Sequence, residues 1–164
     1  LASWGGASVL CTVSGDQKAK RALLAGAENV INYKTENVAE RVDAYTKGKG
    51  VDRLITVDFG GDLPWMTSIM RQNSCISAYA SDSEKMPTLD FFSFMRKNIQ
   101  IRPFILNSLP QQVLNNARSG INRWLVEKPN SLRPIAKKFS LEDIIKAHEL
   151  VESSTKFGTV IVNP

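Results

Sequence analysis

Ser14 and Lys18 stand four residues apart, directly after the apolar run at 7–13, where Ser14-Gly15-Asp16-Gln17 opens a helical pattern. A hydroxyl and an ammonium at a helix N-terminus suit a phosphate, because backbone N–H groups and the helix dipole already favour negative charge there. The same residues also have capping-box spacing, in which Ser14 accepts from the backbone N–H near Gln17 and Lys18 simply faces solvent. Spacing alone leaves both readings open. Asp16 counts against a phosphate, although an acidic residue in the first turn also complements the dipole. Cys11 and Cys75 lie far apart in apolar surroundings and form no CxxC pair. That excludes a dense disulfide framework, gives no metal-site spacing and favours a reducing compartment. His148 is the only histidine, and its place in a C-terminal helix pattern assigns it a structural or surface role. No catalytic residue can be named from these types and spacings.

The elements that must position these groups alternate. Residues 7–13 form a short apolar, β-branched run, as expected of a strand buried on both faces. A helix follows with Ala19, Ala22 and Leu23 on one face, stopping at Gly26. A strand at 30–33 leads to a helix at 36–47, with Gly48 and Gly50 after it. The cycle repeats with a strand at 51–57, ending in Asp58-Phe59-Gly60-Gly61. Asp62 is placed to cap the next helix, with Pro64 in its first turn. Strands at 75–80 and 99–106 flank a helical or looped stretch at 89–95. Strands separated by helices of this length predict right-handed crossovers, an α/β class and a parallel sheet. Ligands of such sheets sit beyond the carboxyl ends of the strands. Those ends are Ser14, Tyr33, Asp58-Phe59-Gly60, Tyr79-Ala80-Ser81 and Phe104-Ile105-Leu106. The rhythm changes after Ser108 to a longer helix at 110–126, a strand-like stretch at 133–140, a helix capped by Ser140-Leu141-Glu142-Asp143, and a strand at 158–162.

Twenty-one Lys and Arg against 16 Asp and Glu give these 164 residues a net charge of +5. Residues 118–138 carry Arg118, Arg123, Lys128, Arg133, Lys137 and Lys138 against Glu127 alone. That run could be a nucleic-acid patch, but Pro129, Asn130 and Ser131 interrupt it and few aromatics interleave it, so a solvated helix end and linker is expected. No apolar run approaches the length of a membrane helix, and no signal peptide opens the chain, so the expected location is cytoplasmic.

A dinucleotide site needs a phosphate cradle, a ribose discriminator and a slot for the nicotinamide. No GxGxxG occurs, and Gly5-Gly6 precedes a strand instead of following one. A first strand and its glycine turn are therefore expected to precede Leu1. The stretch from Trp4-Gly5-Gly6-Ala7-Ser8-Val9-Leu10 through Asn29-Val30-Ile31-Asn32-Tyr33 resembles the cofactor domain of medium-chain dehydrogenases/reductases, and more narrowly the NADPH-dependent, zeta-crystallin-like quinone oxidoreductases. Gly50-Val51-Asp52, Asp58-Phe59-Gly60-Gly61-Asp62-Leu63-Pro64, Tyr79-Ala80-Ser81-Asp82, Lys97-Asn98-Ile99, Ala147-His148-Glu149 and Gly158-Thr159-Val160 extend the resemblance in family order.

The resemblance implies a doubly wound, Rossmann-type fold lacking its first strand and glycine-rich loop. It implies a truncated NADP(H)-binding domain at 1–108 and a return segment at 109–164 that packs on a preceding catalytic domain. Ser14, Lys18 and Tyr33 match positions around the 2′-phosphate of NADPH. Asp58 and Phe59 match the loop near the adenosine and pyrophosphate. Ala78, Tyr79 and Ser81 match the loop lining the nicotinamide ribose, with Phe104, Ile105 and Leu106 beside the nicotinamide. Lys156, Phe157 and Gly158 match a stretch closing over the cofactor. Ala78-Tyr79-Ala80-Ser81 departs from the glycine-rich loop of many relatives. The implied activity is zinc-independent hydride transfer from NADPH to a quinone or α,β-unsaturated carbonyl, in a homodimer paired through the edge strand at 99–106. The alternatives are a non-catalytic dimerisation module or an RNA-binding module on the same fold. Without its central strand, the chain is expected to be unstable and inactive alone, to pair strands 7–13 and 51–57 directly, or to be accompanied by the missing polypeptide.

Overall fold

The computed structural model describes residues 1–128, 134–153 and 156–164, which divide into two compact units, Leu1–Gly120 and Ile121–Pro164. The expected linker at Pro129, Asn130 and Ser131, and Arg133 at the start of the expected strand, lie outside the described residues. Among the described residues no helix is long and apolar enough to cross a membrane.

The first unit is a partial α/β domain of the doubly wound type. Its elements are β1 (Leu10–Val13), α1 (Asp16–Leu24), β2 (Asn29–Asn32), α2 (Val38–Thr46), β3 (Val51–Thr56), α3 (Phe59–Ile69), β4 (Met70–Ala78), α4 (Phe91–Arg96) and β5 (Gln100–Pro103). Every ladder is parallel, as crossover helices require. A 3-10 turn at Leu106–Ser108 follows β5, and α5 (Gln111–Glu127) runs across the division between the units.

The ladders form two half-sheets, β1-β2 and β3-β4-β5, with β5 at an edge. Direct pairing of strands 7–13 and 51–57, one of the three expected outcomes, does not form: among the described residues β1 pairs only with β2, and β3 only with β4. Side chains join the halves instead. Leu10 of β1 and Val51 and Leu54 of β3 pack on one cluster with Ile31, Val38, Val42, Met66, Ile69, Met70, Ile76 and Phe94. Strand β4 bulges, because its register to β3 shifts between Val51 and Arg53 while Asn73 adopts a left-handed φ of 60°. Asn98, also left-handed, donates from Nδ2 to Asn73 Oδ1 at 2.7 Å. Beside it, Lys97 Nζ reaches the carbonyls of Thr67 (2.5 Å) and Met70 (2.8 Å), capping the end of α3 with a cation.

Helix ends explain most departures from the expected boundaries. Gly26 takes φ 101°, and Ala27 N–H donates to Ala22 O at 3.0 Å, the closure expected of a glycine C′ residue. Asn37 caps α2 by accepting from Glu40 N–H, and Asp90 caps α4 by accepting from Ser93 N–H. Ser14 does not cap α1, since Gly15 holds the N-cap position and leaves Ser14 one residue too far out. Asp62 does not cap α3 either. The helix already begins at Phe59, with Asp58 in the N-cap position and Pro64 within its second turn.

The second unit holds the end of α5, then β6 (Ile135–Ser140), a 3-10 turn at Leu141–Asp143, α6 (Ile144–Glu152) and β7 (Thr159–Asn163). Strands β6 and β7 pair in parallel around α6, with Phe139 and Ala147 buried. Ser140 makes no cap bond to the backbone, because the 3-10 turn separates it from α6.

Candidate functional site

Beyond the carboxyl ends of β3, β4 and β5 lies a cleft of about 720 Å³, lined mainly by apolar groups. Of the expected residues it brings together Phe59, Ala78, Tyr79, Ser81, Phe104 and Ile105. The parallel ladder sets this geometry, since Ala78 aligns with Pro103 and Phe104 N–H donates to Ala78 O at 3.0 Å. The rings of Tyr79 and Phe104 then meet at 5.9 Å between centroids, tilted by 42°. Such a pair lines the cleft with two apolar rings set at an angle to each other and one hydroxyl. Tyr79 and Ile105 remain largely exposed, at 52% and 70%.

Asp58 and Leu106 do not line this cleft. Leu106 belongs to the 3-10 turn and is 62% exposed. Ala80, Pro87, Ile101, Pro103, Ser108 and Leu109, which were not among the expected site residues, complete the lining. A proline ending an edge strand, as Pro103 does, was a legible signal. Nothing in the local pattern marks Pro87, which folding brings up from a long loop.

Asp58 works at the N-terminus of α3. Its carboxylate accepts from Ser83 N–H at 3.0 Å and from Ser83 Oγ. These bonds, the hydroxyl first, hold its pKa below the ordinary carboxylate value. Asp62, one turn on, accepts from Thr56 Oγ1 at 2.5 Å. Burial pushes its pKa up, against the lowering effect of Thr56, and the charge of Asp58 adds to the rise. The buried Thr56 hydroxyl is doubly engaged, since it also accepts from Asp58 N–H at 3.0 Å.

Beyond the carboxyl ends of β1 and β2 stand Ser14, Lys18 and Tyr33. Lys18 Nζ donates to Ser14 Oγ at 2.8 Å, so ammonium and hydroxyl form one exposed donor group. Tyr33 N–H donates to Val13 O at 3.1 Å, which ties Tyr33 to the end of β1, and its side chain is 54% exposed. Lys156, Phe157 and Gly158 belong to the second unit, just before β7. Gly158 has φ 108°, and a Cβ there would lie 2.5 Å from Pro134 O. His148 is exposed on α6.

The family description zinc-binding dehydrogenase matches residues 1–120. A quinone oxidoreductase of Salmonella typhimurium is 27% identical over 97% of this chain and 50% of its own length. A 2-haloacrylate reductase of a Burkholderia species is 26% identical over 97% of this chain and 49% of its own. Among solved structures, the Escherichia coli quinone oxidoreductase complexed with NADPH superposes with a TM-score of 0.77, at 24% identity, over 99% of this chain and 51% of that one. The chain therefore spans about half the length of the curated relatives it matches. Among the described residues no group of three or more His, Cys, Asp or Glu side chains is placed to hold a metal ion. Parallel α/β topology, the cleft at the carboxyl ends of its strands and a family match over residues 1–120 agree: the chain belongs to the zinc-binding dehydrogenase family, within the medium-chain dehydrogenases/reductases.

Proposed function

We propose that the protein carrying this chain is an NADPH-dependent oxidoreductase acting on a quinone or α,β-unsaturated carbonyl, and that residues 1–108 are its cofactor-binding part. The observation that carries this reading is the Lys18–Ser14 donor pair at the carboxyl end of β1. Its chemistry fits a 2′-phosphate: a cation and a hydroxyl together donate to an anion, near an exposed Tyr33 ring. The names of the curated relatives, quinone oxidoreductase and 2-haloacrylate reductase, support reduction of an electron-poor carbon.

In this reading Ser14, Lys18 and Tyr33 hold the ribose phosphate, Phe59 lies toward the adenosine and pyrophosphate, and Ala78, Tyr79, Ser81, Phe104 and Ile105 enclose the nicotinamide end. When bound, NADPH supplies the hydride. The residues of the chain orient and desolvate: the Tyr79–Phe104 wall keeps water off one ring face, and the Ser81 hydroxyl is fixed by bonds of its own. Such work needs no nucleophile from these residues. Residues 109–164 form the return segment to a catalytic half, and a second copy pairs along the open edge of β5.

The test compares NADPH and NADH binding before and after Lys18→Ala. Loss of a charged hydrogen bond worth about 1.5–3 kcal/mol should weaken NADPH roughly 10- to 100-fold and leave NADH nearly unchanged. Equal losses for both nucleotides, or none for either, would remove the 2′-phosphate assignment.

A further inference from the structure

Backbone and side-chain hydrogen bonds tie the loop after β4 to the N-terminus of α3. Phe59 N–H donates to Ala80 O at 3.0 Å, and Gly60 N–H donates to Ser81 Oγ at 2.9 Å. Ser81 Oγ in turn donates to Glu84 O at 2.5 Å, and the Phe59–Ala80 bond belongs to an isolated antiparallel bridge between Asp58 and Ser81. The Asp58 carboxylate takes both donors of Ser83. The glycine pair is what allows so close an approach. A Cβ on Gly60 would lie 2.6 Å from Glu84 O, and one on Gly61 would collide with Asp58 Oδ2.

This geometry leaves the first N–H groups of α3 engaged within the protein. Phe59, Tyr79, Ala80 and Ser81 all line the cleft, whereas Asp58 and Ser83 do not. We propose that Asp58 is a positioning residue: acting through Ser83, it holds the 79–84 loop where that loop forms the wall of the cleft, and it makes no contact with the bound nucleotide. The inference rests on the cofactor reading above, and it moves Asp58 from nucleotide contact to loop anchor.

A double-mutant cycle in the full chain decides it, with NADPH fluorescence as the affinity readout. Asp58→Ala should weaken NADPH about tenfold, the size of one charged hydrogen bond, Ser83→Ala should weaken it less because Ser83 N–H still donates to Asp58, and the double variant should be no weaker than Asp58→Ala. Asp58→Asn should recover most of the affinity, because its carbonyl still accepts from Ser83 N–H. Losses that multiply in the double variant would mean that Asp58 touches the nucleotide directly and would overturn the proposal. Amide exchange in the ligand-free protein gives a second reading that needs no cofactor. Asp58→Ala should speed exchange at Ser83 N–H about tenfold or more, and unchanged exchange would sink the anchor role. A parent chain that binds neither NADPH nor NADH would instead remove the functional reading, with the exchange experiment still deciding Asp58.

Discussion

Two carboxylates one helical turn apart carry opposite pH signatures. Asp58, held low by Ser83, stabilises the fold above the ordinary carboxylate pKa of about 3.9, and that contribution is lost as pH falls through its lower folded value. Asp62, pushed up by burial, binds its proton more tightly in the folded state. Stability therefore declines as pH rises from about 3.9 through its raised folded value, and stays reduced above it. Asp62→Asn should flatten that decline, keep the acid limb set by Asp58, and leave the melting midpoint at pH 7 no lower than that of the parent. Melting curves between pH 3 and 8 check this, and a clear fall at pH 7 would show that the charged form is needed. Residue types were legible in the sequence here, but their partners were not. Ser14 had the spacing of a cap and instead receives Lys18, while Asp62 had the look of a cap and instead receives Thr56. Both outcomes depend on where the neighbouring element begins, which a shift of one to three residues decides.

Glycines that end α2 separate two costs at the level of the element. Gly48 and Gly50 both have positive φ, 76° and 71°, but their surroundings differ. A Cβ on Gly48 meets only Asp43 Oδ1 at 3.9 Å, whereas one on Gly50 would lie 2.6 Å from Ile69 O and 3.0 Å from Arg71 N. Gly48→Ala should cost about 1 kcal/mol, the strain of a left-handed alanine alone. Gly50→Ala should cost about 2–3 kcal/mol or more, because the backbone where α3 passes into β4 must also shift. Denaturant midpoints of the two variants measure the difference, and equal losses would mean that this junction yields freely. The alternation of strands and helices was readable from periodicity and from Gly26, Gly48 and Gly50 as punctuation. The bulge in β4 was not, since Asn73 and Asn98 make it by meeting across the fold. Strand β1 is shorter than its apolar run because Ala7 turns back to donate to Ala2 O at 3.0 Å.

For the whole molecule, the core belongs to one unit. The main cluster lies entirely within Leu1–Gly120, whereas only Phe139 and Ala147 are buried apolar side chains among the described residues of Ile121–Pro164. A chain of residues 1–120 should keep a cooperative thermal transition, and residues 121–164 alone should show none, being too short to bury enough surface. Circular dichroism of the two pieces tests both statements, and a cooperative transition in the shorter piece would contradict the second. Fold class was legible because crossover rules leave few topologies for such an alternation. The lack of a ladder between β1 and β3 was not, because pairing depends on edges meeting in space. Where those half-sheets adjoin, no backbone ladder crosses among the described residues, and the mechanical consequence for this chain is a cleavage plane. Under load the molecule should part along it first, with Lys18 and Ser14 on one side and the Tyr79–Phe104 wall on the other. A ligand that grips both sides acts as a strap across the plane, so its grip should register as added rupture force.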